Sequence, residues 1–383
     1  MKSKVLKIIP KSKNLKPVSI GDSNPIFTIA EIGLNHNGDI ELGKKLIDSA
    51  HQAGCTAVKF QNFETEEVYI EGGKAGKYEL LGENIEIYEL HKKLEIEFEF
   101  LSELKKYAEN KGLYFFSAPM GNNSLKMLID LDCDLVKIAS YEVSNIPWIR
   151  KVAETHKPII MSCGGARLEE VDRALNEIYK YHSNVALMHC VIKYPAQLNE
   201  ANLQIINTLK TAFEIPVGFS NNGFRHESGE IDYETIPHAA AAMGMEVYEI
   251  HITLDREMDG VDQGFSTEPD ELKQMISLIN KTRSKFLNSE NIEFNYICQG
   301  SGIKKTLECE EYVREFAYKS IFSIKKIKKG EKLSLENIKC LRSGEYKSGL
   351  EPLHFDLMNE YFYAKNDIDK FEPINWENVS LEN

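Results

Sequence analysis

Short apolar runs alternate with amphipathic segments along most of this chain. The first run, Phe27–Gly33, is followed by a helix-like segment at 39–54. Seven more apolar runs, each followed by a helix-like segment, begin at residues 57, 114, 135, 158, 185, 216 and 246. Eight consecutive strand–helix pairs favour a (β/α)8 TIM barrel of the α/β class, which we predict for residues 26–287. The alternative, an open doubly wound sheet, usually carries a glycine-rich nucleotide fingerprint that this sequence lacks.

Four stretches stand outside this alternation. Residues 1–25 form a basic leader, residues 288–309 have the composition of a polar linker, and residues 310–383 contain the short strand-like runs of a small β-rich domain. A long insertion at 64–94 separates the second strand from its helix. In a barrel, such an insertion is either a lid over the carboxyl-terminal mouth or a solvated loop.

The charge balance narrows the possible partners. The formal net charge of −13 argues against nucleic acid and anionic membranes as partners, because both require clustered Lys and Arg. No uninterrupted apolar segment follows the basic start of the chain, so neither a signal peptide nor a membrane span is predicted and we expect a cytoplasmic protein. The seven cysteines form no CxxC pairs, which indicates reduced thiols.

Polar residues occupy the ends of the predicted barrel strands, where active sites of such barrels lie. Lys59 and Lys137 are the most informative of them, because a lysine in an apolar strand needs an anionic partner. That partner is either a carboxylate, Glu31 or Glu249, or the anion of a ligand. Together with the serines near other strand ends, the two lysines would form a pocket for phosphate and carboxylate groups. These serines are Ser140, Ser162 and Ser220.

The eighth strand carries a carboxylate and an imidazole two positions apart. Glu249 and His251 share one side of that strand, and Asp262 follows in the next loop. This arrangement suits a cation or a polarised carbonyl, although a lone histidine is also often a hydrogen-bonded core residue. On the first strand, Glu31 is a candidate general base, a binder of substrate hydroxyls, or the counter-ion of a lysine.

Taken together and in order, several phrases resemble the sialic acid (N-acetylneuraminate) synthase family. They are IAEIGLNHNGD, VKFQNF, VKIAS, IIMSCGGA, LMHCVIKYPA, VGFSNN, EIHITLD and GVDQGFSTEP. The tail, with SIFSIKKIKKGEKLSLENIKCLRSGEY, is similar to the antifreeze-like domain of β-clip type that ends members of that family. The resemblance extends from about residue 26 to the end of the chain.

The resemblance implies that phosphoenolpyruvate condenses with the aldehyde form of an N-acetylated hexosamine. The acceptor would be N-acetylmannosamine or a diacetamido-deoxyhexose, and the products would be a nonulosonic acid and phosphate. Positions that match phosphoenolpyruvate binders are Lys59, Lys137, Ser140, Ser162 and Ser220. Positions that match residues binding or acting on the sugar are Glu31, Gln61, Glu142, Tyr194 and Asp262. Glu31, Tyr194 and His251 are the predicted catalytic residues.

The resemblance also implies a metal and a second subunit. His251 matches a ligand of a divalent cation, manganese or magnesium, with Glu249 and Asn222 as further candidate ligands. Arg342 matches an arginine that the antifreeze-like domain of one subunit inserts into the barrel of the other, so a domain-swapped homodimer is expected.

Four positions depart from the family pattern. Asn222 replaces a second histidine ligand, Gln263 replaces another histidine, and Ile192 and Ala118 replace polar residues of the phosphoenolpyruvate site. Asn222 could ligate through its oxygen or hold a water in place of the metal, so the sequence predicts weak or absent metal dependence. Two alternatives stay open, a Schiff-base aldolase using Lys137 or Lys59, and a non-catalytic sugar-binding relative.

Overall fold

The predicted apolar runs form a ring of parallel strands in the computed structural model, which describes residues 5–71, 77–80 and 83–381. The barrel strands, β1 to β8, are Phe27–Gly33, Ala57–Asn62, Tyr114–Pro119, Val136–Ile138, Ile159–Ser162, Val185–Cys190, Val217–Asn221 and Val247–His251. Hydrogen bonds join them in the order β3-β2-β1-β8-β7-β6-β5-β4, and β3 lies beside β4 to close the ring. The (β/α)8 barrel is confirmed.

A helix follows each strand on the outside of the barrel. The barrel helices, α1 to α8, are Ile40–Ala53, Phe98–Asn110, Asn122–Asp130, Ile146–Ala153, Leu168–Tyr179, Ile205–Phe213, Thr235–Ala242 and Pro269–Leu287. The first illustrates how the sequence sets their limits. Asp39 caps α1 by accepting from two backbone N–H groups, and Gly54 ends it in the left-handed conformation at φ +84°.

An N-terminal hairpin closes the bottom of the barrel. Its strands, Leu6–Ile8 and Val18–Ile20, pair antiparallel. Their apolar side chains pack against inward-facing residues at the lower ends of the barrel strands, including Phe27 and Phe116. Asn184 fixes the hairpin by exchanging two hydrogen bonds with the Lys7 backbone, at 2.9 and 2.8 Å. The stretch that the sequence marks only as a basic leader therefore supplies part of the core.

The insertion after β2 lies over the opposite end of the barrel. Its described parts include the helices Thr65–Val68 and Ile87–Lys93 and the strand pair Lys77–Leu80 and Glu83–Glu86. Val68, Tyr69, Ile87 and Tyr88 form one apolar cluster with residues of the barrel mouth such as Met120. This packing favours the lid over the solvated loop, and we call residues 65–71 and 87–94 the lid.

The C-terminal part has its own small core and caps the same mouth. After the helix Glu311–Ala317, strand Lys319–Ser323 pairs antiparallel with Ile338–Arg342, and Tyr363–Ala364 pairs with Val379–Ser380. The helix Phe355–Tyr361 packs into this core. Among the described residues, no helix is long and apolar enough to cross a membrane.

Candidate active site

The polar residues at the strand ends surround one cavity of about 280 Å³ at the mouth of the barrel. The predicted site residues that line it are Glu31, Lys59, Gln61, Lys137, Ser140, Ser162, Tyr194, Ser220, Asn222, Glu249, His251, Asp262 and Arg342. Gly33 has φ +56°, and a Cβ there would lie 3.1 to 3.5 Å from Glu31, Gln61 and Asp262. Its missing side chain lets these three groups approach one another.

The floor of the cavity is a network of two lysines and two carboxylates. Lys59 Nζ lies 2.6 Å from Glu31 Oε2 and 3.8 Å from Glu249 Oε1. Lys137 Nζ donates to Ser162 Oγ at 2.7 Å and to Glu249 Oε1 at 3.3 Å. Ser220 Oγ donates to the same Glu249 oxygen at 2.9 Å. The lysines therefore have the carboxylate partners that the sequence suggested, and both still face the cavity.

Burial and charge shift the pKa values of this network in different directions. Burial raises the pKa of Glu31 even though Lys59 opposes the shift, and burial lowers the pKa of Lys137. Burial also acts against the charged forms of Glu249 and Lys59. For these two groups the attraction of the opposite charges exceeds the effect of burial. The two lysines lower the pKa of Glu249 to about 2, and Glu249 together with Glu31 raises the pKa of Lys59. Glu31 is thus the carboxylate that can most readily take up a proton.

Apart from Glu31 Oε2, which forms the ion pair with Lys59, three buried polar atoms of residues lining the cavity have no hydrogen-bond partner within the described chain. They are Glu249 Oε2, His251 Nδ1 and Arg342 Nε. Buried polar groups are normally paired, so three unpaired groups around one cavity indicate that a polar ligand completes them. His251 Nδ1 lies 3.6 Å from Asp262 Oδ2, and burial lowers the pKa of His251 while it raises that of Asp262.

The donors around His251 do not fit the family's metal site. Asn222 donates its amide to the Val191 carbonyl at 2.9 Å, and the Gln263 amide is held by Thr253 and by the Asn35 carbonyl. Oε1 of Glu249 is occupied by the lysines and Ser220. Across the described residues, no group of three or more His, Cys, Asp and Glu is placed to hold a metal ion. One imidazole and one amide oxygen are a weak donor set for a transition metal.

His226, the nearest histidine along the chain to the missing ligand, does not replace it. Its Nε2 lies 3.2 Å from Asp232 Oδ1. Both residues line a separate cavity of about 630 Å³, whose lining does not include His251.

The rim of the cavity is built by aromatic residues and by the C-terminal domain. Arg342 donates to Tyr69 Oη at 2.6 Å and lies over the rings of Tyr69 and Tyr141, at 5.0 and 4.8 Å. Tyr141 donates to Tyr194 Oη at 3.2 Å. Sequence reasoning missed Tyr69 and Tyr141, since only the folded lid brings Tyr69 to the site. An aromatic residue directly after Ser140 was the available signal for Tyr141.

Two predicted placements differ from the structure. Arg342 reaches the mouth of its own barrel, whereas the resemblance implied insertion into the barrel of a second subunit. A single chain thus supplies every cavity residue described above. Glu142, predicted to contact the sugar, is not among the lining residues. Its carboxylate lies 2.9 Å from Lys319 Nζ and accepts from Asn145 at 2.7 Å, so it joins the barrel to the C-terminal domain.

A closed barrel with a lysine–carboxylate floor and a capped mouth defines a barrel enzyme for anionic small substrates. Residues 46–290 match the NeuB family, and the chain belongs to that family. Members are synthases that condense phosphoenolpyruvate with a sugar, and the protein is a transferase of this kind.

Similar proteins and a solved structure match most of the length of this chain. The spore coat polysaccharide biosynthesis protein SpsE of Bacillus subtilis is 35% identical over 95% of this chain and 96% of its own. An N,N'-diacetyllegionaminic acid synthase of Campylobacter jejuni is 36% identical, covering 82% and 89%. The crystal structure of SpsE has a TM-score of 0.84 and 33% identity, covering 98% of this chain and 99% of that one. Coverage of that extent includes the C-terminal domain as well as the barrel.

Proposed function

We propose that this protein joins phosphoenolpyruvate to the open-chain aldehyde of an N-acetylated hexosamine, giving a nonulosonic acid and inorganic phosphate. The catalytic unit would be the barrel, residues 26–287, completed by Arg342 from the domain at 310–383. The observation that carries the proposal is the cavity floor, where Lys59 and Lys137 are buried between Glu31 and Glu249 and face the same space. Two buried cations beside serine hydroxyls suit a ligand with both a phosphate and a carboxylate.

Phosphoenolpyruvate would bind on this floor. Its two anionic groups would take over hydrogen bonds that the lysines now make with Glu31 and Glu249. Ser140, Ser162 and Ser220 all line the floor, and their hydroxyl groups can donate to the same oxygens.

In the bond-forming step, C3 of phosphoenolpyruvate attacks the aldehyde carbon of the sugar. The new C–C bond leaves an alkoxide on the sugar and a cationic C2. His251 would stabilise or protonate the alkoxide oxygen, because it lines the cavity and its Nδ1 has no hydrogen-bond partner among the described residues. Water then adds to C2 and one of its protons goes to Glu31, because burial raises the pKa of this carboxyl group and so favours its taking up a proton. The C2–O bond to phosphate then breaks, the new hydroxyl at C2 gives its remaining proton to the departing phosphate, and a ketone remains at C2.

The sugar would lie toward the rim. Gln61 donates to Glu31 Oε1 at 2.9 Å, which orients the proposed base. Tyr194 and Asp262 flank His251 and can bind hydroxyl groups of the sugar. The unpaired Arg342 Nε can donate to the carbonyl oxygen of an acetamido group.

Synthases of this family are generally metal-dependent. We infer that the dependence is weak or absent here. Two observations support the inference. The side-chain amides of Asn222 and Gln263 are already hydrogen-bonded within the protein, and Glu249 is already paired with the two lysines. Where a divalent cation does bind, His251 and Asn222 are the residues to hold it, and it would polarise the aldehyde oxygen.

We further propose a cytoplasmic enzyme that forms a homodimer, as the family resemblance implies. The placement of Arg342 in its own barrel favours a dimer in which each chain caps its own active site.

The Schiff-base aldolase is supported by one observation, the lowered pKa of Lys137, since such enzymes use a desolvated lysine. Against it, Lys137 is held by Ser162 and by a carboxylate of very low pKa. The non-catalytic alternative is supported by the replacements at Asn222, Ile192 and Ala118. Retention of Glu31, both lysines and His251 in one cavity counts against it.

Phosphate release separates the three functions. With a suitable acceptor sugar, wild-type protein should release phosphate from phosphoenolpyruvate, and Glu31→Gln should lower the rate by about 100-fold or more. The matched control is Glu41→Gln on the exposed side of α1, which should leave the rate unchanged. Borohydride with pyruvate should trap no covalent adduct, whereas an adduct at Lys137 or Lys59 would support the aldolase. Silence with every acceptor would favour the non-catalytic relative.

A further inference from the structure

A second cavity, of about 360 Å³, lies where the barrel, the lid and the C-terminal domain meet. Among the described residues none lines both this cavity and the one at the barrel mouth. The barrel contributes residues at the starts of α3 and α4, the lid contributes Glu67, and the small sheet contributes residues of both its strands, including Lys319 and Lys339. The proposed condensation does not use this cavity.

The charged lining of this second cavity is mainly basic, in a protein whose formal net charge is −13. Its charged residues are Glu67, Lys151, Lys319 and Lys339. Lys319 is paired with Glu142 at 2.9 Å, whereas Lys339 lies 3.9 Å from the Glu67 carboxylate. Lys151 Nζ donates to a side-chain amide oxygen of α3 at 2.6 Å, and no carboxylate of the described residues lies within 4.0 Å of it. The cavity therefore has cationic groups in excess over anionic ones.

Two lining residues have a buried polar atom without a hydrogen-bond partner among the described residues, and the two atoms are of opposite kinds. Trp148 is 6% exposed, and its Nε1–H can only donate. Oε2 of the Glu67 carboxylate can only accept. This oxygen lies against Gly121, where a Cβ would be 1.8 Å away, so the absent side chain lets the carboxylate reach the start of α3. Since buried polar groups are normally paired, a ligand that both accepts and donates is indicated.

A phosphate group that keeps one proton has this combination of acceptors and donor. Its oxygens can accept from Trp148 Nε1, from the lysines and from the backbone N–H groups at the start of α3, which has no side-chain cap. Its hydroxyl group can donate to Glu67 Oε2. Sulfate is fully deprotonated at neutral pH, so it would place an oxygen without a proton beside that carboxylate, and the two like charges would repel.

We propose that this cavity binds the protonated phosphate group of inorganic phosphate or of a small phosphomonoester. We call it the junction site, and its polar groups are those of Glu67, Trp148, Lys151, Lys319 and Lys339. Lys319 and Lys339 also donate to backbone carbonyl groups of the lid, those of Glu67 and Glu66, at 3.3 Å each. Bound phosphate therefore stabilises the contact of the lid and the C-terminal domain with the barrel. This binding does not depend on the condensation at the barrel mouth.

The emission of Trp148 reports on the junction site, because the chain has only two tryptophans. Trp376→Phe removes the other one, which is 52% exposed. In this variant, inorganic phosphate or glycerol 3-phosphate should change the Trp148 emission saturably, and a response to only one of them identifies the source of the phosphate group. Sulfate at equal ionic strength should bind about tenfold more weakly, the value of one hydrogen bond to a charged group. An equal affinity for sulfate would overturn the inference.

Substitutions in the same Trp376→Phe background assign the binding to the junction site. Lys151→Gln, at an exposed position of α4, should weaken phosphate binding by about tenfold. Lys106→Gln, exposed on α2 and outside the cavity lining, is the matched control and should leave the affinity unchanged. Glu67→Gln should remove most of the discrimination against sulfate, because an amide can donate to a sulfate oxygen.

Thermal unfolding provides a second measurement that does not rely on fluorescence. Phosphate should raise the midpoint of wild-type protein by more than that of Lys151→Gln. Phosphate bound at Lys59 and Lys137 would raise both midpoints equally, so the difference belongs to the junction site. No saturable change in Trp148 emission together with equal shifts of the two midpoints would overturn the inference and leave the proposed condensation standing.

Discussion

Asn222 shows how one side chain can change the requirements of a site while its neighbours keep theirs. It lies at the end of β7 beside the cavity, where the family places a histidine. Its amide donates to the Val191 carbonyl, which leaves only its oxygen as a metal donor. The neighbouring imidazole of His251 is buried with a lowered pKa, so it is available as a neutral donor or acceptor without a metal.

From the replacement at Asn222 we expect the enzyme to stay active after divalent metal ions are removed with a chelator. After EDTA treatment and dialysis, adding manganese should change the rate of phosphate release by less than about twofold, because one imidazole and one amide oxygen bind divalent transition metals weakly. Asn222→His should show a larger stimulation by manganese. Complete loss of turnover with EDTA, fully reversed by manganese in the wild-type protein, would show that the prediction is wrong.

The membership of the site could largely be predicted residue by residue. Side chains point alternately inward and outward along a barrel strand, so the two-residue period of each strand predicts which of them face the cavity. Residues predicted in this way are Lys59, Lys137, Glu249 and His251. Glu142 shows the limit of that argument. It lies in a 3-10 turn after β4, where period no longer fixes direction, and Lys319, distant in sequence, draws its carboxylate away from the cavity.

The N-terminal hairpin is the element whose importance the sequence least revealed. Its polar positions carry five lysines among the first thirteen residues, and this charge obscures the alternation of Leu6 and Ile8. In the structure these two side chains and Ile20 lie fully or almost fully buried beneath the barrel.

Two adjacent isoleucines allow a matched test of this element. Ile8 is 0% exposed and Ile9 is 75% exposed. Ile8→Ala should lower the free energy of unfolding by roughly 2–5 kcal/mol, because it leaves a cavity in the barrel floor. Ile9→Ala should change it by less than about 0.5 kcal/mol. Urea unfolding of both variants measures the difference, and equal effects would mean that the hairpin does not pack as described.

Element limits were predictable where capping chemistry is explicit. The expected segment at 39–54 becomes α1 with Asp39 and Gly54 as its caps. The sequence alone did not decide whether the insertion at 64–94 is a lid or a solvated loop. Its apolar residues are few, and they pack only against the barrel mouth and the C-terminal domain.

Across the whole molecule, the connection between the domains determines which barrel each Arg342 serves. Residues just before the small sheet are bound to the loop after β5 of the same chain. Tyr318 Oη donates to the Gly164 carbonyl at 2.6 Å, and Arg314 and Thr306 both donate to the Gly165 carbonyl at 2.8 Å. Glu310 accepts from the backbone N–H groups of Gly165 and Ile192, at 2.8 and 3.1 Å. These bonds hold the domain on its own barrel.

A mixing experiment tests this arrangement. Glu31→Gln disables the barrel and Arg342→Ala disables the cap, and the two inactive variants are unfolded together and refolded as a mixture. With each chain capping itself, the mixture should remain as inactive as the separate variants. A domain-swapped dimer would instead regain about a quarter of wild-type activity, because half of the dimers would be mixed and each would have one intact site.

The N-terminal hairpin, which closes the lower end of the barrel, affects the order in which substrates can bind. Because the hairpin blocks the lower end, every molecule that reaches Lys59 and Lys137 must pass the rim that the lid and Arg342 form. A sugar seated at the rim would obstruct the way down to the lysines. Phosphoenolpyruvate should therefore bind first and the sugar second, and phosphate should be the last product to leave. Product inhibition by phosphate should be competitive toward phosphoenolpyruvate, the pattern of a compulsory-order enzyme with a single entrance.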